Sequence, residues 1–341
     1  MPCVYILNHP HLPTSRNHRF FIEKFANGFK MHNFDVLEIT DVSEIIENGF
    51  VFISNEGLEH AENTSALVQH YHHHQPWFLK ILVRILKFLK IKNIISHFFQ
   101  YKNHKKAFAV LKELSKKEQI IVFAWFFNHH LDILEQLSIK YILFGEHYWK
   151  EPVTENARHF FNLYSHPKCL PVDFAANIHP ENIQIPEYKP LLLSYIGNRT
   201  YKPSYLQLFE NDPRCKIVRT PPYIHEEDRI KIISESQINL GFHSDDNIRN
   251  HVVVERVYEA LAYGTICVTD HPDAEQITNG AAIFVKNEQE LKSIVEILQS
   301  NPQKRKEHVQ KGIDFIRTKG TYFHQAQYFL DFAKRLYGIT W

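Results

Sequence analysis

The segment NLGFHSDDNIRNHVVVERVYEALAYGTICVTD (239–270) constrains the fold more than any other part of this chain. It joins an apolar run, a polar loop, an amphipathic helical stretch closed by Gly264, and a second apolar run. Two apolar runs linked by a helix read as neighbouring parallel strands, because parallel pairing requires a long crossover. The helix carries Glu255 and Glu259 four residues apart, and so on one face. Its start follows a predicted strand. Open α/β sheets bind phosphorylated ligands at such places, on unpaired N–H groups at the positive end of the helix dipole. A carboxylate in such a helix can grip a sugar diol. The plainer expectation is an ordinary strand–helix–strand unit with a solvated acidic face.

The same alternation runs along the whole chain. Strands are expected at 4–7, 35–39, 50–54, 120–127, 140–144 and 161–164. A helix is expected at about 18–31, where Phe21, Phe25 and Phe29 recur at every fourth position. Pro167, Pro171, Pro180, Pro186 and Pro190 mark 165–190 as a linker. Beyond it, strands at 191–196, 215–218, 238–242, 265–269 and 281–285 alternate with helices near 203–211, 226–236, 252–263, 287–299 and 301–317. The fold class is α/β, with two Rossmann-like parallel-sheet lobes. A length of 341 residues suits two such domains. The boundaries expected are 1–180 and 181–321, with an amphipathic helix at 322–337 packing back on the first lobe.

Charge and cysteine usage narrow the function. With 39 basic and 38 acidic residues the net charge is +1, which argues against a nucleic-acid partner. Cys3, Cys169, Cys215 and Cys267 form no C-x-x-C pair, which fits a reducing compartment and no structural zinc. There is no basic leader and no run of 18 uncharged apolar residues, so the expected setting is the cytoplasm. One insert, 76–106, is different. No acid occurs between Glu62 and Glu113, while Lys80, Arg84, Lys87, Lys90 and Lys92 punctuate an apolar run. As a helix, 77–106 would lie on an anionic membrane surface, peripheral to the inner membrane face. The alternative is a buried helix whose lysines snorkel to water. The HYHHH run (70–74) is read as a polar loop, since adjacent histidines cannot all face one ion.

Three stretches of the second half carry candidate chemistry. SYIGNRTYKPSYL (194–206) ends a strand at Gly197 and starts a helix near Pro203. Between them Asn198, Arg199 and Lys202 could present cations and N–H groups to a diphosphate, or form a plain surface turn. VRTPPY (218–223) offers Tyr223 as a stacking surface for a base. In the opening block, His243, Asn247 and Arg249 fill or border the polar loop, and Arg256 sits close to Glu259. The two acids repel each other there, and Arg256, Arg249 or the hydroxyls of a ligand would offset the repulsion.

ERVYEALAYGTICVTD resembles the donor-binding helix of glycosyltransferases of the GT-B fold, closest to the family 4-like and spore-maturation-type members. Their pattern, R-x-F-E-A-x-A-x-G, falls on Arg256, Tyr258, Glu259, Ala260, Ala262 and Gly264. The resemblance extends upstream to SYIGNRTYKPSYL and downstream through DAEQITNGAAIFV to residue 322. It implies two lobes facing a central cleft and a nucleotide diphosphate-sugar donor, UDP- or GDP-linked, with no cofactor and no metal. The acceptor it implies is a glycan or a lipid-linked molecule. It further implies that Glu259 binds the ribose and that the loop from Asn198 to Lys202 contacts the diphosphate. The first acid of the retaining E-x7-E pair would fall at residue 251, which is His251, and Glu255 stands one turn before Glu259. Retention and inversion therefore both stay open. A weaker resemblance sets Glu255 and Arg256 on the E-K pair of α-1,3-fucosyltransferases, which invert and use GDP-fucose. A base for the acceptor would come from the first lobe, with His18, Glu146 and His147 as candidates, and Arg16 could hold an anionic acceptor. The competing expectation is a non-catalytic two-lobed nucleotide- or phosphate-binding protein, or a membrane scaffold.

Overall fold

The computed structural model describes residues 2–9, 16–54, 109–117, 119–124, 138–146, 166–198, 201–220 and 224–339, with backbone alone at 16–21, 54, 123–124 and 144–146. The basic insert, the histidine run and the apolar run at 161–164 lie outside the described residues.

Two parallel sheets organise the chain. The first uses β1 (Cys3–Leu7), β2 (Asp35–Ile39), β3 (Gly49–Ser54), β4 (Ile120–Ala124), β5 (Lys140–Glu146) and β6 (Cys169–Val172), in the order β2-β1-β3-β4-β5-β6. The second uses β7 (Leu191–Asn198), β8 (Cys215–Thr220), β9 (Ser236–Leu240), β10 (Ile266–Thr269) and β11 (Ile283–Phe284), in the order β11-β10-β9-β7-β8. The helices are α1 (Arg16–Lys30), α2 (Pro203–Gln207), α3 (Glu226–Ser234), α4 (Asp245–Arg249), α5 (Glu255–Ala262), α6 (Pro272–Ile277), α7 (Glu288–Ser300), α8 (Pro302–Thr318) and α9 (Tyr322–Tyr337).

Side-chain alternation explains why both faces of the first sheet are covered. Tyr5, Val51, Ile121 and Tyr141 pack on one face against Val110, Leu111 and Leu114 of a helical stretch at 109–114. Val4, Phe50, Phe52 and Val122 pack on the other against Phe25 and Phe29 of α1. Phe329 of α9 closes that face, with its ring centroid 5.4 Å from Phe29 and 5.0 Å from Phe50. The far end of α9 is pinned to β5, where the Tyr337 hydroxyl donates to the Tyr141 carbonyl at 2.6 Å and accepts from its N–H at 2.9 Å.

Three local outcomes differ from the reading of the sequence. The proline-rich segment contains a strand: β6 pairs with β5, and Pro171 fits because among the described residues β6 is the edge of the sheet, with no further strand needing its N–H. The polar loop after β9 is partly helical, because the Ser244 hydroxyl caps α4 by accepting from the Asn247 N–H. The Pro272–Ile277 stretch forms α6, capped by His271, whose ring accepts from the Asp273 N–H.

The second sheet has a reversal at its centre. β8 lies on one side of β7, and the chain then crosses back to place β9 on the other. The carboxyl ends of β7 and β9 therefore flank the point where connections diverge, the usual ligand position in a doubly wound sheet. The chain passes between the lobes at Ala176 and returns at Thr321, where the Ala176 N–H bonds Gly320 and the Tyr322 N–H bonds Ala176.

Candidate functional site

Arg256 spans the divergence point. It is the second residue of α5, and its stem crosses the end of β9, with Cγ 3.9 Å from where a Cβ on Gly241 would lie. Its Nη1 ends beside Gly197 in β7, only 2.7 Å from where a Cβ there would sit. Residue 197 must therefore be glycine for the guanidinium to reach the strand end. Nη1 is buried and has no hydrogen-bond partner among the described residues. Buried donors are nearly always paired, so an orphan at the crevice of an α/β sheet marks a place for an acceptor.

The surrounding side chains are firmly held. Asp270, at the end of β10, accepts from the backbone N–H of His243 at 3.0 Å and from its Nδ1 at 3.1 Å. The other ring nitrogen of His243 accepts from the Val254 N–H at 3.2 Å. Burial lowers the His243 pKa, and because Nε2 accepts from Val254 the ring proton lies on Nδ1, facing Asp270. Both its nitrogens are thus engaged inside the lobe, where they fasten the loop that leads into α5. Lys202, in left-handed conformation before α2, reaches Asp270 Oδ2 at 3.6 Å and is tied to the same strand end. His271 beside them is also neutral, pulled down to about 4 by burial and by His243.

The acidic face of α5 is not solvated. Glu255 and Glu259 are 9% and 4% exposed and turn toward the first lobe. There Lys24 of α1 donates to Glu255 at 2.8 Å and to Glu259 at 3.5 Å. Arg229 of α3 pairs with the second oxygen of Glu259. Burial, with the charge of Glu259, pushes Glu255 up to about 7 despite Lys24. The cations expected to offset this pair were Arg256 and Arg249. Arg256 turns to β7 instead, and Arg249 pairs with Asp246 on the surface.

The remaining candidates divide by position. Asn198 closes β7, where its carbonyl accepts from the Tyr195 hydroxyl at 2.9 Å. Asn247 lies in α4, and its carbonyl faces His271. His251 takes a left-handed backbone (φ 62°) and pairs through Nδ1 with Asp273. Arg16 and His18 fall in the first turn of α1 and Glu146 ends β5, each described as backbone only. His147, Arg199 and Tyr223 lie outside the described residues. Among the described residues no group of three or more His, Cys, Asp or Glu is placed to hold a metal ion, and no helix is long and apolar enough to cross a membrane.

Sequence reasoning did not find Lys24 or Arg229. Lys24 flanks a phenylalanine stripe, where a lysine ordinarily reads as a snorkelling surface residue. The one available signal was the need of two adjacent acids for a cation.

Comparison with known proteins gives a family for part of the chain and a fold for the whole. Residues 199–331 match the family described as glycosyl transferase-like. No curated protein sequence matches the chain. Among solved structures, it is similar to "OtsA apo structure" (12% identity, all of both chains covered, TM-score 0.52). It is also similar to "Trehalose-6-phosphate synthase. OtsA" (12% identity, 98% of this chain and 99% of that one, TM-score 0.51). A third is the N-terminal domain of a trehalose-6-phosphate phosphatase from Candida albicans (9% identity, 98% and 97% covered, TM-score 0.50). At such identities these structures speak for the fold alone, two parallel-sheet α/β lobes. The glycosyl transferase-like match covers residues 199–331, in the lobe that carries the buried acid pair and the crevice arginine, and the chain as a whole shares the two-lobed fold of these structures.

Proposed function

We propose that the second lobe binds a nucleotide diphosphate-sugar, UDP- or GDP-linked, and that the enzyme passes the sugar to a glycan or lipid-linked acceptor without a metal. The observation that carries this reading is the orphaned, buried Nη1 of Arg256 at the divergence point. A diphosphate oxygen supplies the acceptor it lacks, in a charge-assisted bond. Lys202 adds a second positive group from the adjoining loop, and Asn198 and Arg199 belong to the same loop. Glu259 accepts from the ribose diol, one turn further along the same helix.

In the transfer step the bond between the sugar C1 and the diphosphate oxygen breaks, and its electron pair leaves with the nucleoside diphosphate. Arg256 and Lys202 stabilise the charge that develops there, the role a metal plays in other enzymes. The acceptor hydroxyl oxygen forms the new bond to C1 and gives up its proton. In an inverting reaction that proton goes to a base of the first lobe, for which His18, Glu146 and His147 are the candidates. Arg16 would hold an anionic acceptor. The setting we assign is the cytoplasm, with the basic run 77–106 resting on anionic lipid. Flotation with liposomes tests this, and equal recovery with neutral and anionic vesicles overturns it.

The donor reading is tested by thermal melting with nucleoside diphosphates. UDP or GDP is expected to raise the melting temperature, and Glu259→Ala or Arg256→Ala to abolish the rise. Release of UDP or GDP from the matching nucleotide sugar then reports turnover. If no nucleoside diphosphate stabilises the protein, the reading falls.

A further inference from the structure

Glu259 does not stand alone at the junction of the lobes. Among the described residues three carboxylates, Glu226, Glu255 and Glu259, meet two cations there, Lys24 and Arg229. The two oxygens of Glu259 are held from opposite lobes, Oε1 by Lys24 of the first and Oε2 by Arg229 of the second. Lys24 is itself buried, its side chain 5% exposed, and its Nζ lies 2.8 Å from Glu255, 3.5 Å from Glu259 and 3.6 Å from Glu226. The phenols of Tyr263 and Tyr322 also feel the charge of this cluster. Each carboxylate oxygen has a second lone pair, so Glu259 can accept from a diol while both cations stay in place.

Resting on the reading of Glu259 as the ribose acid, we propose that Lys24 is a positioning residue for the donor. Its ammonium, supplied by the acceptor lobe, sits between Glu255 and Glu259 and fixes the orientation in which Glu259 meets the ribose. Without Lys24 the two buried carboxylates face each other, and among the described residues Arg229 alone is left to balance them. An uncompensated buried charge of this kind is strongly unfavourable. Glu255 then takes up a proton and donates to Glu259, or one side chain turns away; either outcome spoils the acceptor geometry. Donor capture is thereby coupled to the approach of the first lobe, because the group that arranges the ribose acid belongs to that lobe.

Calorimetric titration near neutral pH with UDP and with GDP tests this on the full chain. Lys24→Met is expected to weaken binding by about tenfold or more, and Lys24→Arg, which keeps the charge, to retain it. The double variant Lys24→Met with Glu255→Gln is the decisive measurement. It removes the like charge along with the lysine, so binding is expected to recover most of the loss. A mere tether between lobes predicts no recovery, since the inter-lobe ion pair to Glu255 is absent from the double variant too. If Lys24→Met does not yield folded protein, Lys24→Arg and the double variant carry the test. Wild-type binding in Lys24→Met, or no recovery in the double variant, overturns the role of Lys24 while Glu259→Ala still reports on the donor site. If the wild type binds neither nucleotide, the donor reading fails and Lys24 falls with it.

Discussion

Two buried acids of the second lobe, Asp270 and Glu259, are satisfied in opposite ways. Asp270 draws its partners from its own lobe: the backbone and ring of His243, with Lys202 nearby. Glu259 draws one cation from its own lobe and one from a helix 235 residues earlier in the chain. The first arrangement is a fixed fitting that holds loop to strand. The second joins separate bodies, so its energy depends on how those bodies stand to each other. A charge anchored within one lobe serves stability, whereas a charge shared between lobes can respond to a ligand.

The largest effect should come from breaking the fixed fitting. Asp270→Ala leaves the His243 N–H and Nδ1 without their acceptor in a buried site, a loss on the order of 3 kcal/mol. It should lower the midpoint of thermal unfolding by roughly 6 °C or more. A shift near zero would show that the loop into α5 is held by other means, and the contrast between the two acids would vanish. Arg229→Met should come next. It removes the second-lobe cation from Glu259 at a cost of about 2 kcal/mol, less than for Asp270 because Lys24 remains. An effect larger than that of Asp270→Ala would reverse the ranking.

A smaller effect concerns pH. The Glu255 carboxyl is raised by burial and by Glu259 from an ordinary 4.5 to about 7. The folded chain therefore binds more protons than the unfolded one between these values. The contribution of Glu255 is most favourable below pH ~4.5, declines through the window and is fully lost above about 7. The wild type should lose stability between pH 5 and pH 8, by on the order of 1–2 kcal/mol at this site. Glu255→Gln should flatten that slope, as melts at several pH values would show. An unchanged slope would place the titration elsewhere. The smallest effect on folding belongs to Lys202→Gln, about 1 kcal/mol or less, because Lys202 is partly exposed and its ion pair is long. The same variant should weaken nucleoside diphosphate binding by roughly tenfold if Lys202 holds the leaving diphosphate as proposed, and unchanged binding would remove it from that role.

The comparison also separates what the sequence could convey from what it could not. The strand–helix–strand core was legible because alternation with period two and a helical stripe are local patterns. Gly264 closes α5 in a left-handed conformation (φ 63°), a local requirement written in a single residue. The helix that carries Arg256 and Glu259 was legible for a similar reason, since the R-x-F-E-A pattern keeps its spacing on one helix, but the turn of Arg256 toward β7 was not. The burial of Glu255 was not, because nothing within a few residues of it explains why a carboxylate would leave water. Its explanation is Lys24, and no spacing rule connects residues 24 and 255. Pro171 misled in the opposite direction. A proline cluster reads as a linker, and only the edge position of β6 shows that one of its residues can stay in a ladder.

The return of α9 has a consequence for synthesis. Phe329 fills the space between Phe29 and Phe50, and Tyr337 grips the backbone of β5, so the first lobe lacks part of its interior until α9 has been made, well after the second lobe. Multidomain chains usually mature from the front as they leave the ribosome. Here the second lobe can assemble its sheet before the first is complete, because α9, which follows the second lobe in sequence, seals the first.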